Sequence, residues 1–160
     1  MVEDFASSWE ELETLVPDVL EGMFFADAEL TDEAFDWNAD TIRSAIELRH
    51  PVQGRMEVAL PLDLATELCE SLGVEDAPSE SQLRDVAGEI VNTLAGRLQV
   101  SLAGDNEECI VGLPVTELGE PRSDRAVSGQ KVFAVNDLPL IVTLMSIETS
   151  GSELKEACSS

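Results

Sequence analysis

Basic residues are what this chain has least of. Lysine and arginine together number 9, against 33 aspartates and glutamates, for a net charge of −24. Lysine itself occurs only as Lys131 and Lys155. Nucleic acid and anionic membrane surfaces are both held by clustered Lys and Arg, so neither is an expected partner. Histidine occurs once, as His50, ahead of Pro51 in an apparent turn. A Ser-His-Asp or Cys-His mechanism is therefore left without a placed base. The three cysteines, Cys69, Cys109 and Cys158, are odd in number and far apart. They form neither a disulfide framework nor a metal-binding spacing; Cys69 and Cys109 read as packed thiols, Cys158 as a tail residue. No apolar run reaches the ~20 residues of a membrane-spanning helix, so membrane insertion is not expected. Residues 1–4 lack the positive start of a signal peptide, which makes the cytoplasm the expected compartment. Glycine-rich phosphate loops are missing too, and the acidic clusters at 27–29 and 31–33 lack the calcium-loop pattern.

What remains is an ordinary globular chain with an extraordinary charge. A hydrophobic fraction of 44% over 160 residues suits one domain with a real core. The acid excess fits a high-salt cytoplasm, and equally a soluble protein kept apart by self-repulsion. Residues 1–148 read as the domain and 149–160 as a mobile tail.

In chain order, Ser7 or Ser8 can cap a helix running to about residue 25, with Pro17 as a kink or restart. Residues 26–40 read as an acidic loop anchored by Phe35 and Trp37. Strands at 41–49 and 54–60 form a hairpin around the turn at 50–53. Pro61 opens a helix over 62–72 that Gly73 closes. A turn at 104–106 and a strand over 108–113, ending at Pro114, follow a long central helix. Residues 115–128 read as an excursion, and strands at 130–135 and 138–148, joined at Asn136 and Asp137, make a second hairpin. Strand pairs interleaved with helices predict an α+β domain, an antiparallel sheet with helices packed on one face.

The central helix, 79–102, organises the rest. Leu83, Val86, Ala87, Ile90, Val91, Leu94 and Leu98 recur at three- and four-residue steps, the mark of one core-facing side. Ser79 with Gln82 three positions on can form a capping box. At about 100° per residue, Asp85, Glu89, Asn92 and Gly96 share an exposed stripe roughly 60° wide. An idle helix surface favours Lys, Glu, Ala or Gln. This one has a mid-helix Asn and, beside it, Gly88 and Gly96, each costing up to ~1 kcal/mol relative to Ala. Local rules broken together mark places where function compensates. A solitary Glu-x-x-Asn arises by chance in roughly one chain in three of this length; the signal is its combination with Asp85, Gly96 and the exposed face.

The run Asp85-Val86-Ala87-Gly88-Glu89-Ile90-Val91-Asn92-Thr93-Leu94-Ala95-Gly96 resembles the signature helix of the CheC/CheX/FliY chemotaxis phosphatases. There an Asp or Ser precedes Glu-x-x-Asn and a proline follows further along; Asp85, Glu89, Asn92 and Pro114 stand at those places. Two-site members carry a second Glu-x-x-Asn on an earlier helix. The helix at 9–23 has no asparagine, so the resemblance is to CheX, and implies a CheX-like fold and a homodimer. It further implies hydrolysis of the aspartyl-phosphate on a phosphorylated CheY-like response regulator. Asn92 would hold the attacking water and Glu89 would pair with a regulator lysine. From the residues themselves, Asp85 reads as a partner-binding group or a solvated helix carboxylate, and Gly88 and Gly96 as allowing a partner's close approach or tight packing. No cofactor is expected on this chain, and Mg²⁺ would belong to the regulator. Two other readings stay open: a module that binds the regulator without turnover, and a domain whose helix stripe is a homodimer contact.

Overall fold

A computed structural model describes residues 5–32, 40–73, 76–119 and 127–146. Three helices and seven strands follow in the order α1 (Ala6–Phe24), β1 (Ala28–Thr31), β2 (Thr41–His50), β3 (Gly54–Pro61), α2 (Leu62–Ser71), α3 (Glu80–Leu102), β4 (Ile110–Val111), β5 (Val115–Leu118), β6 (Val127–Val135) and β7 (Leu138–Met145). All strand pairs are antiparallel, in the order β1-β6-β7-β3-β2-β4. The short β4 and β5 lie end to end along β2, pairing Leu48 with Val111 and Ile42 with Leu118. The α+β architecture expected from the sequence is the one observed.

Side-chain alternation explains the layering. Ile42, Ile46 and Leu48 on β2, Met56, Val58 and Leu60 on β3, and Leu140, Val142 and Leu144 on β7 project to one face. There they meet Leu12, Val16 and Val19 of α1, Leu64 and Leu68 of α2, and Ile90, Leu94 and Leu98 of α3 in a single core. Successive strand residues point to opposite faces, so each strand turns one half of its residues to the helices. β7, an interior strand between β6 and β3, is buried along nearly its whole length. Its hairpin with β6 turns at Asn136 and Asp137, both at positive φ (51° and 71°), the geometry that asparagine and aspartate tolerate best.

α3 is seated at both ends. Its capping box forms as expected, the Gln82 N–H donating to Ser79 Oγ at 3.2 Å and the Ser79 N–H to Gln82 Oε1 at 2.9 Å. Near the other end, fully buried Gln99 grips the β2–β3 turn. Its Oε1 accepts from the Val52 N–H at 3.0 Å while its Nε2 donates to the Val52 carbonyl at 2.9 Å.

Several elements depart from the sequence reading. Neither Ser7 nor Ser8 caps α1: its N-cap is Phe5, with no side-chain bond, and Ser8 is buried within the helix. Packing of Phe5 into the core sets the start instead. Pro17 lies inside an unbroken α1. Ala28–Thr31 is a strand within the expected loop, held by β6 across a long sequence separation. Val115–Leu118, expected as part of an excursion, is an edge strand on β2. β4 has only two residues, and β6 starts three residues early. Cys109 is exposed, a correction to its reading as a packed thiol; Cys69 is buried. Phe35, Trp37 and the tail at 149–160 lie outside the described residues.

Candidate functional site

α3 presents its stripe to water as its sequence requires. Asp85, Glu89 and Asn92 are exposed and Gly96 half-buried, while Val86, Ile90, Val91, Leu94 and Leu98 are buried on the other side. Among the described residues, no side chain of the chain hydrogen-bonds or ion-pairs with Asp85, Glu89 or Asn92. The cations nearest in sequence are already engaged. Arg84 Nε pairs with Glu80 Oε2 at 2.9 Å and its Nη1 donates to the Thr116 carbonyl at 2.8 Å. Arg97 Nη2 meets Asp18 Oδ2 at 2.8 Å. Glu89 and Asn92 therefore form an adjacent acid and carboxamide, one turn apart, whose polar atoms are left for an outside group. Holding both on one packed helix fixes their spacing before any partner arrives.

The flanks of the stripe differ. On one side runs the segment linking β4 to β5, where Pro114 and Thr116 approach the helix at Gly88. Gly88 is buried and packs toward this chain's own Pro114 and Thr116, the tight-packing side of its two readings. A Cβ there would meet Thr116 Oγ1 at 3.5 Å and Pro114 at 3.9 Å, ordinary contacts, whereas a Cβ on Gly96 would meet nothing within 4 Å. Neither glycine is sterically required by the fold. Gly88→Ala and Gly96→Ala should each stabilise the isolated protein by about 0.5–1 kcal/mol, seen as a higher melting temperature.

On the other side α1 runs antiparallel to α3, tied by the Arg97–Asp18 pair and by the Ser101 hydroxyl on the Glu11 carboxylate. Cys69 of α2 lies at this flank, its Sγ 3.8 Å from the Gln82 carbonyl. Burial pushes the Cys69 thiol above its ordinary range, and the carboxylates of Asp85 and Glu70 push it further. Both causes disfavour the thiolate, the nucleophilic form. At neutral pH iodoacetamide should alkylate Cys109 and spare Cys69 until the chain unfolds, read by peptide mass spectrometry. His50 is on the surface, Nε2 3.2 Å from Glu107 Oε2, away from the stripe.

The fold that carries this stripe has counterparts among known proteins. The family model described as chemotaxis phosphatase CheX matches residues 42–136, more than half of the chain. The chain belongs to the CheX family. No curated protein sequence matches it. CheX of Vibrio vulnificus superposes with a TM-score of 0.70 at 16% identity, over 90% of this chain and 99% of that one. CheX of Desulfovibrio desulfuricans gives 0.67 at 15% identity, over 84% and 95%. A CheX–CheY–BeF₃–Mg²⁺ complex from Borrelia burgdorferi gives 0.57 at 12% identity, over 90% and 98%. At these identities the likeness is one of fold. Within the CheX match lie Asp85, Glu89, Asn92 and Pro114. Among the described residues no helix is long and apolar enough to cross a membrane.

Two surface features of this flank escaped the sequence reading. Phe25, 81% exposed, caps α1 in the left-handed region at φ 57°. Leu72, 55% exposed, ends α2. Phe25 had a local signal, an aromatic where a helix C-terminus usually takes glycine. Leu72 had none.

Proposed function

We propose that this CheX-family chain dephosphorylates a CheY-type response regulator. Asn92 enters the regulator's active site and orients water in line with the aspartyl-phosphate. Glu89 pairs with a lysine there and sets the register of docking. Mg²⁺ is held by the regulator, which supplies the charge neutralisation, and this chain needs no cofactor of its own. Phosphoryl transfer asks a protein chiefly for positioning and electrostatic stabilisation. A carboxamide both donates to and accepts from a water without titrating.

The observation that carries this reading is the pairing of Glu89 with Asn92: exposed, neighbouring and without side-chain partners among the described residues, on a helix whose opposite face is buried in the core. Gly96, open above its Cα, lets the regulator backbone come close. The test is the decay of a phosphorylated CheY-type receiver with and without the purified chain. Faster phosphate loss supports catalysis; binding without acceleration leaves a regulator-binding module instead.

The reading includes a homodimer. Ile110, Leu113, Val115 and Leu118, all exposed, line the β4–β5 edge and support a contact there. Sedimentation of the isolated chain measures it.

A further inference from the structure

Beside the stripe, where α1 and α2 end against the first half of α3, a cleft of about 410 Å³ opens. Met23, Phe24, Leu72 and Val86 line its apolar part, and Asp85 and Glu89 bring carboxylates to it. Glu89 thus belongs both to the stripe and to this cleft. One residue past Phe24, exposed Phe25 is held at φ 57° by its N–H bond to the Glu21 carbonyl at 2.9 Å. A bulky residue in that conformation is disfavoured by about 1–2 kcal/mol. Such outliers persist where a function compensates. The apolar walls call for a buried side chain. The two carboxylates, with Arg84 and Arg97 engaged elsewhere, call for a cation beside it.

We propose that this cleft is a second docking seat for the same receiver protein, taking an apolar side chain flanked by a lysine or arginine on the receiver's surface. The inference rests on the phosphatase reading above, because the seat is continuous with the stripe through Glu89. Asp85 and Asn92 are seven residues apart, about 10 Å along a helix. The cleft's two carboxylates therefore stand about 5–10 Å from Asn92 along the helix, Glu89 nearer and Asp85 farther. Asp85 meets the receiver's cation while Glu89, at the border, keeps the active-site lysine, and Phe25 and Leu72 shield the contact from water, as rim residues do around a binding hot spot. Specificity for one receiver over others then comes from this seat, while the chemistry stays at Asn92.

The experiment titrates a CheY-type receiver loaded with beryllofluoride and Mg²⁺ into the wild-type chain, Leu72→Arg, Phe25→Gly and Asn92→Ala, alongside steady-state dephosphorylation. Leu72→Arg places a cation of this chain where the receiver's should sit, and Phe25→Gly removes the aromatic while relieving its backbone. Each should raise Kd and KM about tenfold or more with kcat within about threefold of wild type. Phe25→Gly should do so while raising the melting temperature, which separates lost docking from lost folding. An active wild type with unchanged Kd in both variants overturns the cleft and leaves the phosphatase reading standing. A wild type that neither binds nor accelerates overturns both. Variants that alter only self-association of the chain assign the cleft to a second copy and overturn the proposal.

Discussion

Asn92→Ala should slow regulator dephosphorylation by about 10²–10³ in kcat, the loss seen when one preorganised transition-state contact is deleted. Binding should barely change, because the amide's work is done on water rather than on the partner's surface. The fold should not suffer either. The Asn92 side chain is exposed and bonds to nothing among the described residues, and alanine is the better helix former by several tenths of a kcal/mol. The expected signature is a protein that melts slightly higher, binds a beryllofluoride-loaded receiver as before, and no longer shortens the lifetime of the phosphoryl group. Parallel calorimetry and phosphate release read all three. Unaltered turnover in Asn92→Ala would remove the carboxamide from the mechanism.

Gln99→Leu should destabilise the protein by about 2–3 kcal/mol. Leucine matches the volume and suits a helix, so the loss reports the side chain's hydrogen bonds, chiefly the two to Val52 at 3.0 and 2.9 Å, with a longer one to the Ile110 carbonyl at 3.5 Å. Breaking them orphans a backbone donor and an acceptor, each costing about 1–3 kcal/mol where water cannot replace the partner. Val52 is only partly buried, which holds the total to the lower half of that sum. For a chain of this size, each kcal/mol is worth about 2–4 °C in melting temperature, so a drop of about 4–12 °C is expected in a thermal melt. A change under a degree would mean that the side chain's grip on the turn contributes nothing net.

The elements that were legible in the sequence are those with strong local periodicity. α3 announced itself through Leu83 to Leu98 and through the Ser79–Gln82 box, and β2, β3 and β7 through alternating or continuous apolar runs. The two missed strands lack such a signal. Val115–Leu118 is mostly exposed, and Ala28–Thr31 buries only its first residue. Both are strands because a partner elsewhere offers an open edge, β2 for one and β6 for the other. That information is tertiary, and β-propensity depends on such context. At the site, helical geometry alone placed Glu89 and Asn92 on the exposed side. It put Gly88 only about 70° off the stripe centre, and what packs against Gly88 is Pro114 with Thr116, which return from beyond the helix. The cleft beside Glu89 was equally invisible, since three separate helix ends have to meet to make it.

The two anchorages of α3 have a consequence for how a visitor is received. Arg84 fastens one portion to β5 and Gln99 fastens another to the β2–β3 bend, and Asn92 rides between them. Tilting the rod would mean letting go at one anchorage or the other. Whatever yielding a productive encounter demands therefore falls on the guest, which must shape its own loops to a host that does not bend.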